Sequence, residues 1–120
     1  MHELSIAESV VRVASAHAAS RRVARVDLKV GYLRQVVPSA LEFSFELVAD
    51  GTPVEGAELV IEVVPARGRC RACGAESRQD GFPLHCKSCD GLDIEVTGGE
   101  ELLVDSLEFE EALATSGGMT

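Results

Sequence analysis

The 120-residue chain has no tryptophan and only one tyrosine and four phenylalanines, so aromatics make up 4% of it. Val, Leu, Ile and Ala must fill any interior, and a chain of this length gains from a further staple such as a metal. Cations are scarce too: 11 Lys and Arg face 20 Asp and Glu, for a formal net charge of -9. That balance argues against nucleic acid as the partner, because phosphate binding depends on basic surface. No apolar run approaches the ~20 residues that a membrane helix needs. The opening Met1-His2-Glu3-Leu4-Ser5 lacks the basic n-region of a signal peptide. There is no phosphate loop of the G-x-x-x-x-G-K-[ST] type, and no serine sits in a His/Asp frame. The expectation is a soluble cytoplasmic protein that is not an enzyme and binds neither nucleic acid nor membrane.

What is present suffices for one ordinary domain or two very small ones, since 46% of the residues are apolar. From Leu4 to Ser20, Leu4, Ala7, Val11, Ala14 and Ala18 recur at helical spacing, with Ile6, Val10 and Val13 widening the stripe. From Val23 to Tyr32 the period changes to two: Val26, Leu28, Val30 and Tyr32 share one face, and Arg25, Asp27 and Lys29 the other. Ser39 and Glu42 have capping-box spacing and open a second helix that runs to Ala49, with Phe43 and Phe45 read as core. Asp50-Gly51-Thr52-Pro53 stops it, and strands follow at 57–64 and 102–109. Because isolated β pairs are marginal, the last strand is expected to return to the first sheet. The predicted fold is α+β, with two helices packed on a three-stranded sheet and an inserted four-cysteine, zinc-ribbon-like module. Residues 1–66, completed by strand 100–112, form the larger domain, 67–99 the module, and 113–120 a flexible tail.

The module reads Cys70-Arg71-Ala72-Cys73, twelve intervening residues, then Cys86-Lys87-Ser88-Cys89. Two residues between thiolates let a tight turn aim both sulfurs at one point, and two such knuckles complete a tetrahedron around Zn(II). Four thiolates leave no open position, so this zinc is structural. A thioredoxin-like dithiol would need a βαβ frame, and disulfides suit an oxidising compartment. Between Arg67 and Lys87, five cations (Arg67, Arg69, Arg71, Arg78 and Lys87) outnumber Glu76 and Asp80 by three. The -2 of a four-thiolate zinc centre reduces that surplus to about +1. His85 abuts Cys86 but has four thiolates competing with it. His17 lies near the apolar stripe of the first helix, where a packing or surface role is expected.

Met1-His2-Glu3 is the other constellation. The Met1 α-amine, the next backbone nitrogen and Nδ1 of His2 can close fused chelate rings, a nitrogen-rich tetragonal geometry that suits Ni(II) or Cu(II). Glu3 offers a further backbone nitrogen or its carboxylate. A histidine beside a start codon can equally be accidental. Taken together, the Met-His-Glu opening, the helix–strand–helix–strand order, the paired Cys-x-x-Cys and the final strand resemble the HypA/HybF family of hydrogenase nickel-incorporation proteins, from Met1 to about Ala112.

The resemblance implies a nickel metallochaperone that carries Ni(II) as transient cargo to the large subunit of a [NiFe]-hydrogenase. A nickel-binding GTPase of the HypB type would be its working partner, and urease maturation proteins further recipients. It implies His2 as the principal nickel ligand, helped by Met1 with Glu3 beside it, and Cys70, Cys73, Cys86 and Cys89 as ligands of a structural Zn(II). Val37-Pro38-Ser39-Ala40 lacks the carboxylate that some relatives carry there, with Glu42 the nearest substitute. The alternative is a zinc-ribbon adaptor or nucleic-acid-binding module with no functional nickel site. Monomer and homodimer are both open.

Overall fold

The computed structural model describes residues 2–110. Met1, the tail assigned to 113–120 and the last two residues of strand 100–112 lie outside the described residues. In chain order the elements are α1 (His2–Ala18), β1 (Val23–Gly31), a 3-10 turn (Tyr32–Arg34), α2 (Pro38–Ala49), β2 (Glu58–Val64), β3 (Ala66–Cys70), β4 (Glu76–Gln79), β5 (Ile94–Gly98) and β6 (Leu102–Phe109). They build two helices and two three-stranded sheets, ordered β2-β1-β6 and β4-β3-β5. The last strand does return beside β1, as the marginal stability of a lone strand requires. No helix among the described residues is long and apolar enough to cross a membrane.

The chain divides into two compact units. The first comprises Val36–Glu62 with the described parts of Met1–Leu28 and Leu103–Thr120. Its helices α1 and α2 pack on each other. The buried residues of α1 (Ile6, Ala7, Val10, Val11, Ala14 and Ala18) follow the helical stripe, while Leu4 and Val13 lie at its exposed margins. Val23, Val26 and Leu28 of β1, Leu41, Phe45 and Ala49 of α2, and Val54 complete this core. On the other face of β1, the Arg25 guanidinium lies 3.1 Å from Asp27 and 3.4 Å from Glu108, and the Ser106 hydroxyl donates to Asp27 at 2.8 Å. Arg21 stacks over the Phe109 ring at 3.8 Å.

Three expectations are corrected here. Tyr32 does not continue the buried face of β1, which ends at Gly31; it opens the 3-10 turn. Ser39 and Glu42 form no capping box, because Val37 is the N-cap residue and Pro38 takes the first helical turn, where its missing N–H costs nothing. Phe43 is not core. It is 61% exposed, whereas Phe45, two residues on and about 200° around the helix, is 2% exposed.

The second unit comprises Lys29–Gln35 and Val63–Leu102. Its sheet gives the cysteine module a regular frame that the sequence reading lacked: β3 pairs antiparallel with β4 (Arg67 opposite Arg78) and with β5 (Arg69 opposite Glu95). The Tyr32 ring stacks on Phe82 at 6.3 Å, and its hydroxyl donates to the Asp80 carbonyl at 3.3 Å. Gly31 runs so close to the Gly99 carbonyl that a Cβ would lie 2.0 Å from the oxygen, so this approach excludes any side chain.

Candidate metal centres

Each Cys-x-x-Cys pair folds into the same knuckle. Cys70 N–H donates to the Ala75 carbonyl (2.9 Å) and Gly74 N–H to the Cys70 carbonyl (2.8 Å). In the second pair Cys86 N–H donates to Gly91 and Asp90 N–H to Cys86, both at 2.8 Å. The residue after each second cysteine must turn left-handed, with φ of 81° at Gly74 and 63° at Asp90. Glycine meets that demand freely, and aspartate is among the side chains that tolerate it.

The knuckles face each other. Cys70 Sγ lies 3.7 Å from Cys89 Sγ and Cys73 Sγ 3.5 Å from Cys86 Sγ, and all four sulfurs fall within 4.8 Å of one another. A regular tetrahedron with Zn–S bonds of about 2.3 Å has edges of about 3.8 Å, so the four donors fit a structural zinc site. Backbone N–H groups of Ser88 and Cys89 aim at Cys86 Sγ from 3.3 and 3.4 Å. These donors, Cys89 first and Ser88 next, pull the Cys86 thiol down to about 6. At Cys89 the Gly91 N–H also acts to lower the thiol, but Cys86, Cys70 and Cys73 together push it up to about 12. Four sulfurs so close cannot share negative charge without a cation between them, which zinc supplies.

A side chain that sequence reasoning missed organises the approach to this centre. Gln79, 3% exposed, donates from Nε2 to the His85 carbonyl (3.0 Å) and accepts from His85 N–H at Oε1 (2.9 Å). Its amide thus replaces a strand partner for the backbone just before Cys86. Its only sequence signal is an amide at the end of a short polar strand. The His85 ring is exposed and its Nδ1 lies 3.4 Å from the Pro83 carbonyl, and the metal-capable cluster comprises the cysteines without it. The apparent basic surplus of the module is cancelled by pairs: Arg69–Glu95 at 2.9 Å, Arg71–Asp93 at 2.8 Å, and Asp80 with both Arg78 and Lys87. Asp93 and Glu95 lie beyond the span over which the surplus was counted.

The second constellation opens α1. His2 is its first residue, two positions before the apolar stripe begins at Leu4. First-turn amide nitrogens stand outside the intrahelical ladder, so a metal can engage them without breaking helical hydrogen bonds. The His2 ring directs Nε2 towards Glu3 Oε2 at 3.4 Å. The same oxygen accepts the Val37 N–H at 3.1 Å, bonding the start of α1 to the N-cap residue of α2. That backbone bond is the main reason why the Glu3 carboxyl lies below its usual range. His17, by contrast, is exposed and its Nδ1 bonds the Val13 carbonyl at 2.9 Å, a local helix contact.

Comparison with known proteins follows the same outline. Residues 1–109 match the family model described as hydrogenase/urease nickel incorporation, metallochaperone, hypA. The hydrogenase maturation factor HypA of Geobacter metallireducens is 47% identical over 110 residues, and that of Geotalea uraniireducens 46%; in each case the match covers 92% of this chain and all of the relative. Among solved structures, the solution structure of the Ni metallochaperone HypA from Helicobacter pylori superposes with a TM-score of 0.66 at 22% identity, covering 89% of this chain and 96% of that one, a likeness of fold. The family match over residues 1–109, together with relatives 46–47% identical over 92% of this chain, means that this chain belongs to the HypA family.

Proposed function

We propose that the protein is a nickel metallochaperone for [NiFe]-hydrogenase maturation, non-enzymatic, binding Ni(II) at its first residues and holding a structural Zn(II) on Cys70, Cys73, Cys86 and Cys89. In this reading, residues 1–66 with strand 100–112 carry the nickel function and 67–99 the zinc. The nickel donors are the Met1 amine, the backbone nitrogens of His2 and Glu3, and Nδ1 of His2. The observation that carries the reading is the 3.4 Å approach of His2 Nε2 to the Glu3 carboxylate. A metal-bound imidazole commonly donates its other ring N–H to a carboxylate, which sets the tautomer and turns the free nitrogen to the metal. Here that leaves Nδ1 for the chelate, with Glu3 orienting the ring.

A chelate at the chain terminus, with one side-chain ligand, exchanges its metal readily, whereas a closed four-thiolate cage does not. The cargo passes to the hydrogenase large subunit with a nickel-binding GTPase of the HypB type as partner, and urease maturation proteins are further recipients. Four unbonded thiols set for metal suit a reducing compartment, the cytoplasm. The test is metal analysis and nickel titration of protein with an untagged, native N-terminus. One tightly held zinc and one removable nickel per chain are expected. His2→Ala should abolish nickel binding and leave zinc in place, and nickel affinity should fall with acid because the nitrogen ligands must be deprotonated. Nickel binding and hydrogenase activity that survive His2→Ala unchanged would overturn the chaperone reading through His2, and salt-sensitive nucleic-acid binding would then separate a nucleic-acid module from a zinc-ribbon adaptor.

A further inference from the structure

The outer face of α2 is apolar and acidic at once, and nothing in the nickel or zinc chemistry uses it. Phe43 and Leu47, one turn apart, are 61% and 60% exposed. Glu42 and Glu46, also one turn apart, flank them, and neither makes an ion pair among the described residues. The helix carries no Lys or Arg at all. The two glutamates line a hollow of about 320 Å³ together with Phe45, Ala57, Glu58 and Leu59. Exposed aromatic and aliphatic side chains in one patch, rimmed by charge of one sign, mark a protein-binding surface.

We propose that this face of α2 docks an amphipathic helix whose apolar stripe is flanked by Lys or Arg. Phe43 and Leu47 would pack into that stripe. A basic side chain would enter the hollow with its charged head among Glu42, Glu46 and Glu58. Charge selects this occupant over a second copy of the chain, because two such helices would set glutamate against glutamate within a chain of net charge -9. The N-terminal end of the same helix is bonded to Glu3 through Val37 N–H, so an occupant lies within a helix length of His2. Its identity as part of a nickel-exchanging protein rests on the function proposed above, whereas the docking itself does not.

The test titrates 15N-labelled protein with a synthetic helical peptide of about 18 residues built from Leu and Lys at amphipathic spacing, and with its Leu/Glu counterpart. The cationic peptide should shift the amides of Val37–Asp50, and the anionic one should not. Phe43→Ser, and separately Glu42→Lys with Glu46→Lys, should each weaken the cationic peptide by about tenfold or more. Because all three side chains are solvent-exposed, the variants should keep the wild-type fold and nickel stoichiometry, which separates loss of docking from failure of the nickel reading. Shifts centred elsewhere, or affinity within about twofold of wild type in Phe43→Ser, would overturn the proposal. So would concentration-dependent dimerisation through Val37–Asp50 without peptide, which would make a second copy the occupant.

Discussion

Glu3 serves two neighbours with one oxygen, the His2 ring at 3.4 Å and the Val37 N–H at 3.1 Å. Its carboxyl lies below the ordinary 4.5, chiefly through the Val37 bond, and Asp27 lies below 3.8 through the Ser106 hydroxyl and then Arg25. A depressed carboxyl contributes stability above its unfolded value and loses it as pH falls through the folded one. Melting temperature should therefore drop on acidification below about pH 4.5. Glu3→Gln and Asp27→Asn should each flatten that drop in melts followed by circular dichroism, and a slope identical to wild type would deny these bonds any part in stability. Gln79 is a neutral counterpart. Gln79→Ala would remove both hydrogen bonds to the His85 backbone, at about 0.5–1.5 kcal/mol each, so urea unfolding should show a loss of about 1–3 kcal/mol. Neither Glu3 nor Gln79 is marked by a local pattern, because their partners are set by the folded chain, Val37 lying 34 residues away from Glu3.

At the scale of elements, the two phenylalanines of α2 separate burial from composition. Phe45, packed in the first unit's core, should cost about 3–5 kcal/mol when cut to alanine. Phe43→Ala, on the open side, should stay within about 0.5 kcal/mol by the same denaturant measurement. Equal losses would place Phe43 in the core after all. The helical period of α2 is clear in the sequence, as is the stripe of Leu41 and Phe45. Which of two aromatic positions faces inward is decided by where α1 packs. The capping box fails for a related reason: the spacing of Ser39 and Glu42 is right, but Pro38 opens the helix one residue earlier and moves the cap to Val37. A motif of two residues reads only its own neighbourhood, and the N-terminus of α2 is closed instead by a carboxylate from α1.

For the whole molecule, the division into two compact units gives metal removal a localised effect. The first unit has an aliphatic core built on α1, β1 and α2, while the second buries few large side chains and gathers its four sulfurs within 4.8 Å. Zinc binding there contributes folding free energy directly. Stripping zinc with a strong chelator should abolish amide-exchange protection in β3, β4 and β5 and leave the helical circular dichroism of α1 and α2 near its starting value. Cys73→Ser should do the same without a chelator. Loss of both units together would mean that the zinc staples the entire chain.

By itself the sequence determined the features that depend on spacing along the chain. These are the helical stripe of α1, the alternation of β1, the paired Cys-x-x-Cys that no core of that size could replace, and a terminal tripeptide rich in nitrogen donors. Periodicity and chelate geometry are local, and so they can be read from residues a few positions apart. Only the tertiary structure decided which side of α2 is buried, that Glu3 bonds the backbone of a distant helix, and that Gln79 clamps the loop before Cys86. It also decided that Glu95 and Asp93 pair with Arg69 and Arg71 of the module. Each of these depends on how the folded backbone places the groups, whether 34 residues apart, as Glu3 and Val37 are, or six, as Gln79 and His85 are, and packing sets that placement where spacing alone does not.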